Sequence, residues 1–327
     1  MGALPLVGCG RPPAPRGLTI PRGDAPTGWP QVLITTSGRA PALFAGPDEQ
    51  APAFGHLGPG VRVRIEGPVQ GQRVPVTVGG SMVVHAWAQV NRLASTATQR
   101  GRVEGTPTYV GIGDPVSLLS QNGDGSWRVV VRPRLGRSEV DDGLVGYSAS
   151  LPADWVSAEP NDVADTGLNA GEPRLTPAGQ ELVLYDRPDG AVVARIPPLD
   201  PPLTVVVLRE RDGWSGVRVG VGPYLVGYLH AELTPSTIEA IGVKPVRPTS
   251  DGIPSRVASE TGNLFRVVAG THVSFYGEDV ATLRRAAYAR ELSPRQGEEA
   301  DVYIAVDDGV AIRGVVPVSA LTPITED

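Results

Sequence analysis

The chain has 327 residues, 41 of them glycine and 33 proline, and 29 basic against 35 acidic side chains give a net charge of −6. That length accommodates roughly two to four small domains, and the Gly and Pro content predicts many turns and little helix. The acidic balance argues against nucleic acid as the main partner, and no apolar run is long enough to cross a membrane as a helix.

Cys9 is the only cysteine, and it stands in Leu6-Val7-Gly8-Cys9. This resembles the lipobox of bacterial lipoproteins, where a small residue precedes the cut and the thiol carries diacylglycerol. The resemblance implies lipidation at Cys9 and membrane attachment through that anchor alone. Gly10, rather than Asp, implies outer-membrane sorting, facing the periplasm or the surface. The upstream MGALPLVG lacks a positive n-region and is short for a signal peptide, so it reads as a truncated one. The following Pro- and Gly-rich residues have little to bury, so 1–40 are expected to be signal and extended tether.

From Ala42 to Leu93 the order of parts is strand, Pro-containing loop, Gly60, alternating strand, turn, strand and closing aromatic. Val61-Arg62-Val63-Arg64-Ile65 alternates with period two, which sends arginines to water and aliphatics to a core. A β-unit is expected over 41–98. A second is expected over 99–160, where GDPVSLLSQNGDGSWRVVV gives strand, Gly-rich turn, Trp and strand, and LVGYSASLPADWV closes it. Its polar RPRLGRSEVDDG insertion is expected to extend a hairpin into solvent. The polar 157–179 stretch reads as a linker.

The clearest unit spans 172–236. Thr204 to Glu210 is β-branched and apolar, Asp212-Gly213 supplies a tight hairpin, and the Val217 and Val219 strand and Gly227-Tyr228 follow. With Leu182-Val183-Leu184 and the loop Tyr185-Asp186-Arg187-Pro188-Asp189-Gly190, this stretch resembles the bacterial SH3-like (SH3b) family. The resemblance implies small, partly open barrels that recognise cell-wall peptides or proteins through a groove lined by aromatic side chains. Tyr185 and Trp214 match those groove positions, and Tyr224 and Tyr228 are further candidates. Asp186 and Asp189 beside Tyr185 would favour a cationic or amine-bearing ligand. Trp214 and Tyr228 read equally well as barrel core. In the first unit Arg73 stands near the place of Trp214. Pro197–Pro202 replaces the glycine usual before the family's next strand.

After the Pro-rich 235–259 comes a divergent β-rich region over 254–325. THVSFYGEDVATLRRAAYAREL could hold a strand and a short helix, and VYIAVDDGVAIRGVVPVSAL a hairpin across Asp307-Asp308-Gly309. The closings Ala86-Trp87 to Leu93, Gly227-Tyr228 to Leu233 and Gly314-Val315 to Leu321 are nearly equally spaced, which favours tandem repetition over a single irregular sandwich. The expectation is an all-β chain of tandem SH3-like barrels joined by Pro/Gly-rich linkers.

Catalytic patterns are scarce. Asp165-Thr166-Gly167 evokes an aspartic peptidase, but no second such triplet completes the pair, and an Asx-turn explains it. His56, His85, His230 and His272 have no ligand spacing, and Asn122-Gly123-Asp124-Gly125 lacks the other oxygen ligands of a calcium loop. Neither metal nor cofactor is expected. The function expected is a non-catalytic envelope lipoprotein that binds peptidoglycan peptides or an envelope protein. The alternative is an assembly scaffold that pairs through barrel edges.

Overall fold

The structure is a computed structural model that describes residues 23, 25, 28–36, 40–141, 144–160, 171–236, 262–295, 297–306 and 309–324. Among these residues it is all-β, with short 3-10 turns and a single helical turn at Ser138–Asp141. No described helix is long and apolar enough to cross a membrane.

Three stretches each fold into seven short strands. The first contains Val32–Thr35, Ala42–Phe44, Ala53–Leu57, Arg62–Ile65, Arg73–Val78, Met82–Gln89 and Leu93–Thr96. A later one contains Glu172–Leu175, Leu182–Tyr185, Val192–Ile196, Thr204–Arg211, Trp214–Val219, Tyr224–Leu229 and Thr234–Pro235. The last contains Leu264–Val267, His272–Phe275, Glu278–Leu283, Ala287–Glu291, Glu299–Ala305, Val310–Pro317 and Leu321–Pro323. Numbered within each stretch, the strands lie side by side as 3-2-6-5-4-1-7, all antiparallel, in all three cases. Even a bulge recurs at one place in the ladder of strands two and three, at Leu43/Phe44, Leu184/Tyr185 and Val273/Ser274. A shared bulge fixes a shared register, because each extra residue shifts every later pair. The divergent C-terminal region therefore repeats the topology of the clearest unit, and its third and fourth strands stand where the sequence allowed a short helix.

Residues 93–156 form a variant of the same plan. Leu93–Thr96, the seventh strand of the first unit, also pairs with Pro115–Gln121 and so opens the second unit. Gly101–Arg102 pairs with Thr108–Val110, and Pro115–Gln121, Trp127–Val131 and Tyr147–Leu151 follow as the fourth, fifth and sixth strands. A shared strand, not a Pro/Gly-rich linker, thus joins the first two units. One contiguous core runs through the first, second and last units, from Leu33 and Val76 to Val129 and Ile312. The third unit has its own core around Leu184, Val205, Val219 and Leu225.

Units also join edge to edge. The third strand of the first unit pairs with the sixth of the last, Leu57 with Val310 and Gly55 with Ile312. Reciprocally, the third strand of the last pairs with the sixth of the first, Leu283 with Met82 and Ala281 with Val84. Under the register set by the shared bulge these two ladders superpose, so the pair has a pseudo-two-fold relation. Each unit thereby covers the sheet edges of the other. A side chain at Gly55 is excluded here, because a Cβ would lie 2.5 Å from the Ala311 carbonyl oxygen. Gly55→Ala is expected to lower the urea midpoint of unfolding, at a cost of about 1–3 kcal/mol for overpacking. An unchanged midpoint would show that this seam does not form.

The described part of the insertion after Val131, residues 132–141, does not project into solvent. It docks on the third unit: Arg134 N donates to the Pro223 carbonyl at 2.9 Å, and Val221 N donates to the Arg134 carbonyl at 2.8 Å. The Arg134 side chain caps the Gly222 carbonyl, Arg137 donates to Pro202 O at 3.0 Å, and Leu135 is buried in the third unit's core. Burial holds the Arg134 guanidinium below its ordinary pKa, against the pull of Asp114 and Asp141. The polar sequence suggested exposure, but its backbone hydrogen bonds are satisfied by a neighbour rather than by water.

Candidate functional site

A groove of about 1020 Å³ opens on one face of the third unit. Its aromatic wall begins at the hairpin between strands four and five. Asp212 and Gly213 both take positive φ, 51° and 77°, as a two-residue turn of this hand requires, so Trp214 is the first residue to emerge from the turn. Trp214 meets Tyr185 edge-on, with ring centroids 5.2 Å apart and planes at 87°. On its other side lies the His230 ring at 5.0 Å. Tyr228 and His230 are two residues apart, so they share the outward face of the closing chain segment. That alternation was present in the sequence and could have nominated His230.

Tyr185, Asp189 and Trp214 line the groove, together with His230, Glu181 and Glu232. Asp189 sits at the tip of its loop with φ 55°. Three lining side chains are acidic and none is Lys or Arg. Glu181 is paired with Arg195 at 2.8 Å, which leaves Asp189 and Glu232 as the other lining carboxylates. The other candidates stand off the lining. Asp186 closes its own loop, its carboxylate accepting from Ala191 N at 2.8 Å. A Cβ on Gly190 would fall 2.0 Å from that carboxylate oxygen, so a side chain there would displace the Asp186 carboxylate from its loop bond. Tyr228 faces Tyr185 across the ladder, with the Arg209 guanidinium 5.0 Å from its ring centre. Tyr224 lies under Arg218 and pairs with Tyr109 at the seam with the second unit.

The other units lack this wall, and the ladders say why. The residues equivalent to Tyr185 and Trp214 are Phe44 and Arg73 in the first unit, and Ser274 and Glu299 in the last. Arg73 lies 3.5 Å from the centre of the Phe44 ring and donates to the carbonyls of Gly46 at 2.8 Å and Glu49 at 3.1 Å. Its side chain thus occupies the space that stays open in the third unit. Burial lowers its pKa, opposed by Asp48 and Glu49.

The second unit carries a tryptophan one step out of phase. Its turn has one more residue, because Asn122 N bonds Ser126 O across Gly123, Asp124 and Gly125. Ser126 therefore takes the place of Trp214, and Trp127 takes that of the buried Ser215. One residue turns a strand side chain to the opposite face. Trp127 is 4% exposed and packs edge-on against Trp29, ring centroids 5.6 Å apart.

No family model, curated protein or solved structure matches the chain.

The remaining chemistry is sparse. Among the described residues no cluster of His, Cys, Asp or Glu could hold a metal ion. His56 meets the Tyr303 hydroxyl at 3.2 Å, His85 meets Thr77 at 3.0 Å, and His272 lies 3.4 Å from Asp279. Asp124 holds its own turn by accepting from Ser126 N and Oγ, which draws its carboxyl below the ordinary pKa. Cys9 and Asp165-Thr166-Gly167 lie outside the described residues.

Proposed function

We propose that the chain is a non-catalytic bacterial envelope protein, anchored through a lipid on Cys9, whose third unit grips an amine-bearing peptide of peptidoglycan or of an envelope partner. The observation that carries this reading is the Tyr185–Trp214–His230 wall facing Asp189 and Glu232 in one open groove. Aromatic faces offer a peptide apolar area at small entropic cost, and an ammonium group over such a face gains roughly 0.5–1 kcal/mol at exposed sites. The two carboxylates select the same charge. The resemblance of 182–233 to bacterial SH3-like domains supports the reading, since their aromatic grooves are used in this way. A single such groove among the described units gives modest affinity, and attachment to a membrane beside the wall raises the effective concentration.

The test is co-sedimentation of the full chain with purified sacculi. Saturable retention is expected, with Tyr185→Ala weakening it about tenfold, which corresponds to about 1.4 kcal/mol. Absence of retention at low salt would overturn the wall ligand, and equal retention of the variant would overturn the groove.

A further inference from the structure

The second and third units pair by the same edges as the first and last, but only on one side. Tyr224 pairs with Tyr109 and Leu225 with Thr108, in the register of Val83 with Thr282 and Val84 with Ala281. The reciprocal ladder would join the sixth strand of the second unit to the third strand of the third. Among the described residues, Tyr147–Leu151 is laddered only to Trp127–Val131, and Val192–Ile196 only to Leu182–Tyr185. Between them lies an apolar cleft of about 400 Å³, lined by Leu144, Val145, Tyr147, Val192 and Val193. The Tyr147 hydroxyl reaches across and donates to Val193 O at 3.1 Å. A tyrosine spanning two backbones holds them further apart than the roughly 4.8 Å of a ladder.

The geometry points to this cleft as a strand-addition site for an extended, uncharged, β-branched segment of a partner protein, laid along Val192–Ile196. Of the four equivalent edges among the described residues, three already receive a strand from a neighbouring unit, and the cleft is the fourth and continuous with the third. The Tyr147 bond shows that the Val193 carbonyl points into the cleft. Arg195 takes the place of His56, two residues before Gly58, whose N–H crosses the first seam to Gly309 O, so the Arg195 N–H faces the cleft as well. Val145 and Val192 at the rim are 71% and 42% exposed, which leaves apolar area for alternate side chains of the added strand. The one charged lining residue, Arg195, is engaged by Glu181. Main-chain bonds would supply affinity and the valines the preference for β-branched residues.

The probe is the blocked hexapeptide acetyl-Thr-Val-Thr-Val-Thr-Val-amide, added to the full chain and followed by hydrogen exchange. Saturable binding is expected, with the Arg195 amide slowed at least tenfold. A probe N-methylated at alternate residues should bind at least tenfold more weakly. Tyr147→Phe, which frees the Val193 carbonyl, should tighten the unmethylated probe a few-fold. No binding would overturn the site, and equal binding of the methylated probe would reduce it to apolar adhesion. Protection of the Arg195 amide in the free chain would mean that the chain closes or fills the cleft itself, which also overturns the proposal. Trp214→Ala should bind the probe like the unaltered chain, so failure here and failure of the wall-binding groove are separable.

Discussion

Trp214→Ala is expected to abolish measurable retention on sacculi while leaving the urea transition of the chain nearly in place. Trp214 is the centre of the wall, since it alone touches both Tyr185 and His230. Removing the indole takes away one face of the ligand and also the contact that orients the Tyr185 ring. Central aromatic anchors of this kind cost about 2 kcal/mol or more on truncation, a loss of roughly thirtyfold in affinity. The fold pays much less. Trp214 projects from the outward face of its strand, and the core behind it is made by Leu184, Val217, Val219 and Leu229. A stability loss near 1 kcal/mol is expected, matching one aromatic pair beyond burial. Retention and urea midpoint should be measured on the same preparation. A collapsed midpoint would make Trp214 core, and the groove would lose its anchor.

Much of the fold was legible because strand and turn chemistry is local. The alternation at Val61–Ile65, the Asp212-Gly213 turn and the apolar run from Thr204 each announce a strand or a hairpin without reference to distant residues. The closing glycines were legible as repeats, and the structure supplies their reason. A Cβ on Gly227 would sit 2.8 Å from Tyr185 O, and one on Gly314 would sit 2.7 Å from Ser274 O, at equivalent places in two units. What could not be read was which edge meets which. The pairing of Gly55 with Ile312 joins residues more than two hundred positions apart, and nothing in either segment names the other. The docking of 132–141 was hidden for the same reason, since its partners at Pro223 and Pro202 are backbone carbonyls that any residue type provides.

The site divided along the same line. Tyr185, Asp189 and Trp214 were legible from a loop and a turn with known outlets, and the groove unites them. Asp186 looked equivalent to Asp189 by charge and spacing, but the first carboxylate of such a loop serves its own backbone. Tyr224 and Tyr228 were chosen for residue type, whereas facing decides membership. Ladder register, not composition, sends Tyr224 to the seam with the second unit.

The sharpest test of that register is the other tryptophan. Trp127→Ala is expected to destabilise the chain by about 3–5 kcal/mol, the usual cost of emptying a buried tryptophan site. Trp127 and Trp214 follow look-alike Asp-Gly turns, and by sequence either could serve as a groove anchor. The extra residue in the 123–125 turn puts Trp127 on the inward face, among Val116, Leu118 and Val129, with Trp29 against its edge. Its removal leaves a cavity that this β-core cannot collapse to fill, because Leu118 and Val129 are held by paired strands. The same core runs on into the first and last units, so the loss should shift the unfolding of all three together. Urea unfolding followed by tryptophan emission and by far-UV signal should show one transition displaced to lower denaturant. A midpoint within experimental error of the unaltered chain would put Trp127 at the surface. The one-residue phase difference, and with it the reason that only the third unit carries the open aromatic groove, would then be lost.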